Sequence, residues 1–258
     1  CWNAGTYLLD VSDPTAPTVV SHVADTTLEA QREIDDFRDS VYGVPGNDHY
    51  ATVDETGDLM AIGREAWATG GAEPDRPGGV DLYDSSDPTE PVKRGSIDPP
   101  RTADESYYGG TWTTAHNFEL RDDRLYSAWY RAGVQVHDVS DPTAPERLAW
   151  WRKPAETGFW TARVLEPGET FVASSTEAIP NTALDGALYT FPAEAGKQAD
   201  PPSLRPPAEW LGDDDSNDTN GTKPNADADS SPGFTGVAGL VGGGVALEWL
   251  RRRENVQD

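Results

Sequence analysis

The chain has 258 residues, of which 45 are acidic and 20 basic, for a net charge of −25 and a pI near 4.3. Such a field repels a phosphate backbone, so nucleic acid is excluded as a partner. Cys1 is the only cysteine, which leaves no intrachain disulfide and no cysteine-based zinc site.

Lysine is scarce beside arginine, with only Lys93, Lys153, Lys197 and Lys223. A surface this rich in Asp and Glu stays soluble where salt screens its self-repulsion, which suits a halophile, although an ordinary acidic protein has the same signature. The chain begins with Cys rather than Met, so a trimmed mature form or a missing upstream portion is expected.

One eleven-residue pattern is written three times. Tyr7 to Pro17 reads YLLDVSDPTAP, Asp81 to Pro91 reads DLYDSSDPTEP and Gln135 to Pro145 reads QVHDVSDPTAP. A glycine (Gly5, Gly79, Gly133) admits the chain to each copy. The apolar alternation at Thr6 and Leu8, Val80 and Leu82, and Val134 and Val136 then predicts a half-buried strand. S-D-P-T closes it, since proline presets the second turn position while Asp and Ser oxygens accept turn N–H groups. A further strand follows at Val19 to Val23, Val92 to Ile97 and Leu148 to Trp151.

A second shared pattern precedes the later two copies. Asp48 to Gly63 and Ala115 to Tyr130 each read as strand, acidic turn, strand, so each complete unit has four short strands, about the size of a propeller blade. A decayed last unit follows, with strands at Trp160 to Leu165, Thr170 to Ser174 and Gly186 to Phe191. The fold class is therefore all-β, a β-propeller of four-stranded blades occupying residues 1–200 with about three and a half blades present. Thirteen strands fall short of the about sixteen that the smallest usual ring needs, so an upstream portion is expected to be lost, with an open or partner-completed sheet as the alternative.

Residues 201–231 form an acidic tract almost without apolar side chains, predicted to be a disordered linker. It contains two N-x-T acceptors, Asn217 and Asn220, which suit a glycosylated stalk or arise by chance in an Asn/Thr-rich tract. Within residues 232–258, the uncharged run Gly233 to Leu247 leads into Arg251-Arg252-Arg253, predicting a short hydrophobic helix whose basic end stays cytoplasmic. The alternative is a loosely packed tail, given its internal glycines and Glu248.

The strand followed by D-V-S-D-P-T-A-P resembles the LVIVD-repeat proteins. The stretches Glu65 to Trp67, Gly78 to Asp84 and Ala115 to Asn117 are similar to their haloarchaeal branch. That resemblance covers roughly Trp2 to Phe191 and implies a propeller in a cell-surface setting, with no agreed activity. Separately, Pro232-Gly233-Phe234 with the apolar run and arginine cluster resembles the PGF-CTERM sorting signal. It implies an archaeosortase as partner, removal of the tail and lipid attachment, although Glu248 and the five residues after the arginines depart from the pattern.

His49 and His116 occupy matching positions before the first strand of their units. First strands line a propeller's channel, so the two imidazoles are candidate ligands for a divalent metal, with Asp48 or Glu119 adding oxygen. The alternative is that they fix turns. Asp10, Asp84 and Asp138, and Asp13, Asp87 and Asp141, recur in every copy and read as turn-closing groups rather than catalytic carboxylates. The Glu65–Trp67 stretch and Trp112, Trp129, Trp150, Trp151 and Trp160 read as packing between blades, with rim aromatics also able to stack on sugars. No nucleophile elbow, phosphate loop, dinucleotide fingerprint or H-E-x-x-H occurs.

The leading expectation is a non-enzymatic propeller on the outer face of the cell membrane, presenting loops to an envelope protein or glycan. A channel-mouth metal protein or enzyme and a purely structural envelope component are the alternatives. Deleting Pro232 to Asp258 is expected to release the protein into the medium, scored by cell fractionation; continued membrane association would contradict an anchoring tail.

Overall fold

The computed structural model describes residues 2–71, 73–179, 184 and 186–204; Asn217, Asn220, Pro232, Gly233, Phe234 and the predicted linker and tail from 205 on lie outside them. The first four residues of the expected linker are described and are ordered by packing, since Leu204 is buried in the core and Pro202 O accepts from Arg152 Nε at 2.9 Å. Among the described residues the protein is all-β, with thirteen strands in four antiparallel sheets. The first sheet pairs β1 (Thr6–Asp10) with β2 (Thr18–Val23). The second is a meander of β3 (Asp48–Val53), β4 (Leu59–Arg64), β5 (Val80–Asp84) and β6 (Val92–Ile97). The third repeats it with β7 (Phe118–Arg121), β8 (Arg124–Ala128), β9 (Val134–Asp138) and β10 (Glu146–Trp151). The fourth holds β11 (Phe159–Glu166), β12 (Thr170–Ser175) and β13 (Ala187–Pro192). The two, four, four and three strands expected from the repeat pattern are present.

Two short helices lie between β2 and β3, where the repeat pattern placed no element. Thr27 caps α1 (Leu28–Arg32) by accepting from Ala30 N, and Asp36 caps α2 (Phe37–Tyr42) by accepting from Arg38 N and Asp39 N.

Each corner of the repeat is closed twice by aspartate. In the third sheet, Asp138 accepts from Ser140 N (2.9 Å) and Ser140 Oγ (2.6 Å), and Asp141 from Thr143 N (2.9 Å) and Thr143 Oγ1 (2.6 Å). Asp84 with Asp87, and Asp10 with Asp13, bind their corners in the same way. These bonds hold the carboxyls below the usual range, Asp84 at about 2 through Ser86 and Arg94.

The predicted half-buried strands need correction at β5 and β9, which are buried on both faces. The reason is face-to-face stacking of consecutive sheets. Met60, Ile62 and Tyr83 on one face of the second sheet pack with Leu8 and Val23 of the first. On its other face, Ala61, Val80 and Leu82 pack with Phe118, Leu120 and Leu125 of the third. Tyr126, Val134 and Val136 then turn the third sheet's opposite face toward Phe159, Phe171 and Phe191 of the fourth. Period-two alternation survives, but both phases are apolar because each interior sheet has a neighbour on either side.

The three glycines that open the repeats have one cause. A Cβ on Gly5, Gly79 or Gly133 would collide with the carbonyl oxygen of Val23, Ile97 or Trp151, the last residue of each sheet's outer strand. Gly133 also sits at φ +92°, in left-handed space. Gly133→Ala is expected to cost roughly 2–5 kcal/mol by urea unfolding, against about 1 kcal/mol for Gly168→Ala, whose φ is +71° with open space around it. Equal losses at the two positions would refute the close-approach argument.

His137, in β9, is 5% exposed and its Nδ1 has no hydrogen-bond partner among the described residues. Burial, aided by nearby Arg147, lowers its pKa from 6.5 to about 3. The folded state holds it neutral, so its contribution to stability is full above pH 6.5 and is lost as pH falls from there toward 3. His137→Leu is expected to flatten the stability-versus-pH curve over that range in denaturant titrations at fixed salt, leaving the smaller slope from His116. An unchanged slope would show that His137 is not buried neutral.

Candidate functional site

Long connections of the meanders converge at one end of the sheets. The segment 24–47 joins β2 to β3, 65–79 joins β4 to β5, and 98–117 joins β6 to β7. Backbone bonds lock them together: Glu65 N donates to Asn47 O (3.0 Å), Trp67 N to Tyr42 O (2.7 Å), Ala68 N to Glu105 O (3.0 Å) and Ala115 N to Gly78 O (3.2 Å). The third and fourth sheets are stitched by a reciprocal pair, Tyr130 N to Phe159 O (3.0 Å) and Phe159 N to Tyr130 O (2.9 Å).

His49 and His116, paired on sequence position alone, stand together, with ring centroids 4.5 Å apart. His49 lies within β3 rather than before it, and His116 precedes β7 by two residues. The expected oxygen donors do not join them. Asp48 faces Arg64 Nε at 3.4 Å and accepts from Thr6 Oγ1 at 2.9 Å, while Glu119 accepts from Val164 N at 2.9 Å. The carboxylate between the imidazoles is Glu65, just beyond the end of β4. His49 Nδ1 is 2.9 Å from its Oε2, without hydrogen-bond alignment, and His116 Nε2 is 3.8 Å from its Oε1. One ligating atom from each of the three residues falls within 4.8 Å of the others.

The surroundings fix the state of each group. His116 is 2% exposed, and its Nδ1 lies 2.7 Å from the carbonyl oxygen of Trp160, so Nδ1–H donates there and Nε2 carries the lone pair. That Nε2 is buried with no hydrogen-bond partner among the described residues. Burial lowers the His116 pKa to about 4, against the opposing pull of Glu65, so the ring is neutral in ordinary conditions. Burial disfavours the charge on Glu65, yet the close approach of His49 and the hydrogen bond from Tyr130 hold its carboxyl below the usual range. Tyr130 Oη donates to Glu65 Oε1, and burial and that charge push its own pKa well up, so it stays a proton donor. A bulky residue at φ +44°, Tyr130 is held in a conformation costing roughly 1–3 kcal/mol, which aims its hydroxyl at the carboxylate.

Next to this cluster lies a cavity of about 250 Å³ whose lining includes Trp2, Tyr42, Trp67, Tyr107, Trp112 and Trp160. The rings brace one another, Trp67 meeting Tyr107 at 4.8 Å and 88°, and Trp112 meeting Tyr130 at 5.1 Å and 77°. Trp67 and Trp112, read from sequence as packing between blades, do pack, but against the cavity. Trp129 is core, with Nε1 donating to Ser127 Oγ at 2.7 Å. The other two histidines stand apart: His22 stacks on Tyr7 at 4.1 Å, and His137 is buried in the third sheet.

The site is thus a histidine–carboxylate cluster beside an aromatic pocket on stacked antiparallel sheets. No family model and no curated protein matches the chain. Among solved structures it is similar to a hypothetical selenium-binding protein from Sulfolobus tokodaii, with 15% identity over 56% of this chain and 37% of that one, at a TM-score of 0.40. It is also similar to a chain in an S. cerevisiae complex containing Dbp5, Nup159 and Gle1, with 10% identity over 76% of this chain and 41% of that one, at a TM-score of 0.37. The N-terminal domain of Nup159 gives 12% identity and a TM-score of 0.26. The chain spans less than half the length of each of these.

Proposed function

We propose that the protein is a metal-binding β-propeller of the LVIVD-repeat kind, holding a divalent first-row transition ion on His49, Glu65 and His116. One observation carries this reading. The Trp160 carbonyl accepts a hydrogen bond from Nδ1–H of His116, which leaves a bare, buried, neutral Nε2 facing the Glu65 carboxylate. An outer hydrogen bond that fixes the tautomer, with the free nitrogen directed at an anionic oxygen, is how metal-ligating histidines are held. Two imidazoles and one carboxylate form a donor set that suits zinc or ferrous iron and leaves positions open for water or a ligand.

This favours the channel-mouth alternative over a propeller that only presents loops. The propeller architecture is supported by the stacking of consecutive sheets and by the S-D-P corner recurring at the same place in three of them. Export and anchoring at the outer face rest on the two sequons, the apolar tail and its resemblance to a sorting signal.

The test is metal analysis of the full chain in molar salt, stripped with chelator and reloaded with zinc or cobalt. A single ion per chain is expected, with cobalt absorption bands typical of mixed nitrogen and oxygen ligands. His116→Ala and Glu65→Gln should each weaken binding by at least about a hundredfold, more than the loss of an outer hydrogen-bonding partner costs. Metal uptake that ignores both substitutions, or no uptake with retention on envelope glycan or protein, would return the loop-presenting reading.

A further inference from the structure

The cavity beside the cluster is large for a water site and small for a polymer. A dry cavity of about 150 Å³ accommodates benzene, so about 250 Å³ has room for a ring with a substituent. Its polar handles are mostly spent within the wall. Trp112 Nε1 donates to Tyr107 O at 2.9 Å, the Tyr42 and Tyr108 hydroxyls bond each other at 3.1 Å, and the Tyr130 hydroxyl is committed to Glu65. What remains in the lining is ring surface, Asn47 and the cluster itself, while the Trp67 Nε1–H is buried in the wall without a partner among the described residues.

The charge at the floor decides which ring compound fits. Aromatic walls over a bare carboxylate suit an organic cation. With a divalent ion held by one carboxylate and two neutral imidazoles, the floor instead carries net positive charge. It then repels a cation and draws an oxygen donor to an open coordination position. A sugar would bring a hydroxyl on nearly every carbon into walls with almost no free partner, leaving them unsatisfied.

Resting on the metal reading above, we propose that the pocket binds a small planar aromatic compound with a single oxygen donor, a phenol-type ligand. Its oxygen meets the ion and its ring lies among Trp2, Trp67, Trp112 and Tyr107.

Phenol, tetramethylammonium and glucose are the probes, each titrated into the full chain in molar salt and followed by tryptophan fluorescence and calorimetry. Phenol is expected to bind the zinc-loaded chain at least tenfold more tightly than the chelator-stripped chain, and tetramethylammonium to show the reverse preference. Trp2→Ala, at a 57%-exposed residue, and Trp67→Phe should each weaken phenol about three- to tenfold, with zinc content measured in the same samples. Glucose binding more tightly than phenol, or phenol indifferent to zinc or to both substitutions, overturns the proposal. Zinc bound normally with no phenol binding would sink this inference alone, whereas a chain that takes up no zinc overturns both readings.

Discussion

The reciprocal backbone bonds between Tyr130 and Phe159 are the constraint on which the site depends. They join the loop after β8 to the start of β11, so the third and fourth sheets meet by main-chain pairing as well as by packed side chains. That bridge brings the Trp160 carbonyl onto His116 and forces Tyr130 into the left-handed conformation that turns its hydroxyl toward Glu65. Arg163 extends the stitching inward. Its guanidinium donates to the Tyr50 hydroxyl at 2.7 Å and to the Phe118 carbonyl, tying β11 to β3 and β7. The first strands of the second, third and fourth sheets are therefore cross-linked by polar groups as well as by packing.

Buried charge is handled differently at two neighbouring points. Arg64 is surrounded by Asp25 at 2.8 Å, Asp48 at 3.4 Å and Asp81, an over-balanced set of carboxylates. Their signs diverge: burial raises the Asp48 pKa, while at Asp81 the pull of Arg64 and the bonds from Lys93 and Ser96 outweigh burial and lower it. One residue further along, Glu65 has no arginine or lysine within ion-pairing distance among the described residues, only imidazoles and a phenol. A buried carboxylate with no arginine or lysine beside it has capacity left for a cation, which Arg64 supplies for Asp48 and Asp81 but not here.

Much of the frame was legible because it repeats. The glycine, the alternating strand and the S-D-P corner each have a local cause, so one copy interpreted the others, and His49 with His116 followed from equivalent positions. Glu65 was harder to see. In the sequence it stands only as part of E-A-W, and its role comes from the β3–β4 register, which places it opposite Asn47 and beside His49. Asp48 and Glu119 were nearer in sequence, but strand pairing had already committed their oxygens elsewhere. The helices α1 and α2 carry no repeat signal and follow from capping at Thr27 and Asp36. The burial of both faces of β5 and β9 is a tertiary effect, invisible while a strand is considered alone.

In an antiparallel meander, connections alternate between the two ends of the sheet, and here the two ends have diverged. One end carries the short corners, such as 54–58 and 85–91, each held by aspartates that bond their own neighbours. The other carries the long joins, which contribute Val41, Tyr42, Trp67, Tyr107, Trp112 and Ala178 to the cavity wall. Length can change at that end without disturbing strand register, because the paired edges are set by the glycine and the corner. The architecture thus separates inheritance from innovation: the corner end can be copied from unit to unit, while the cavity end is free to acquire a new occupant one insertion at a time.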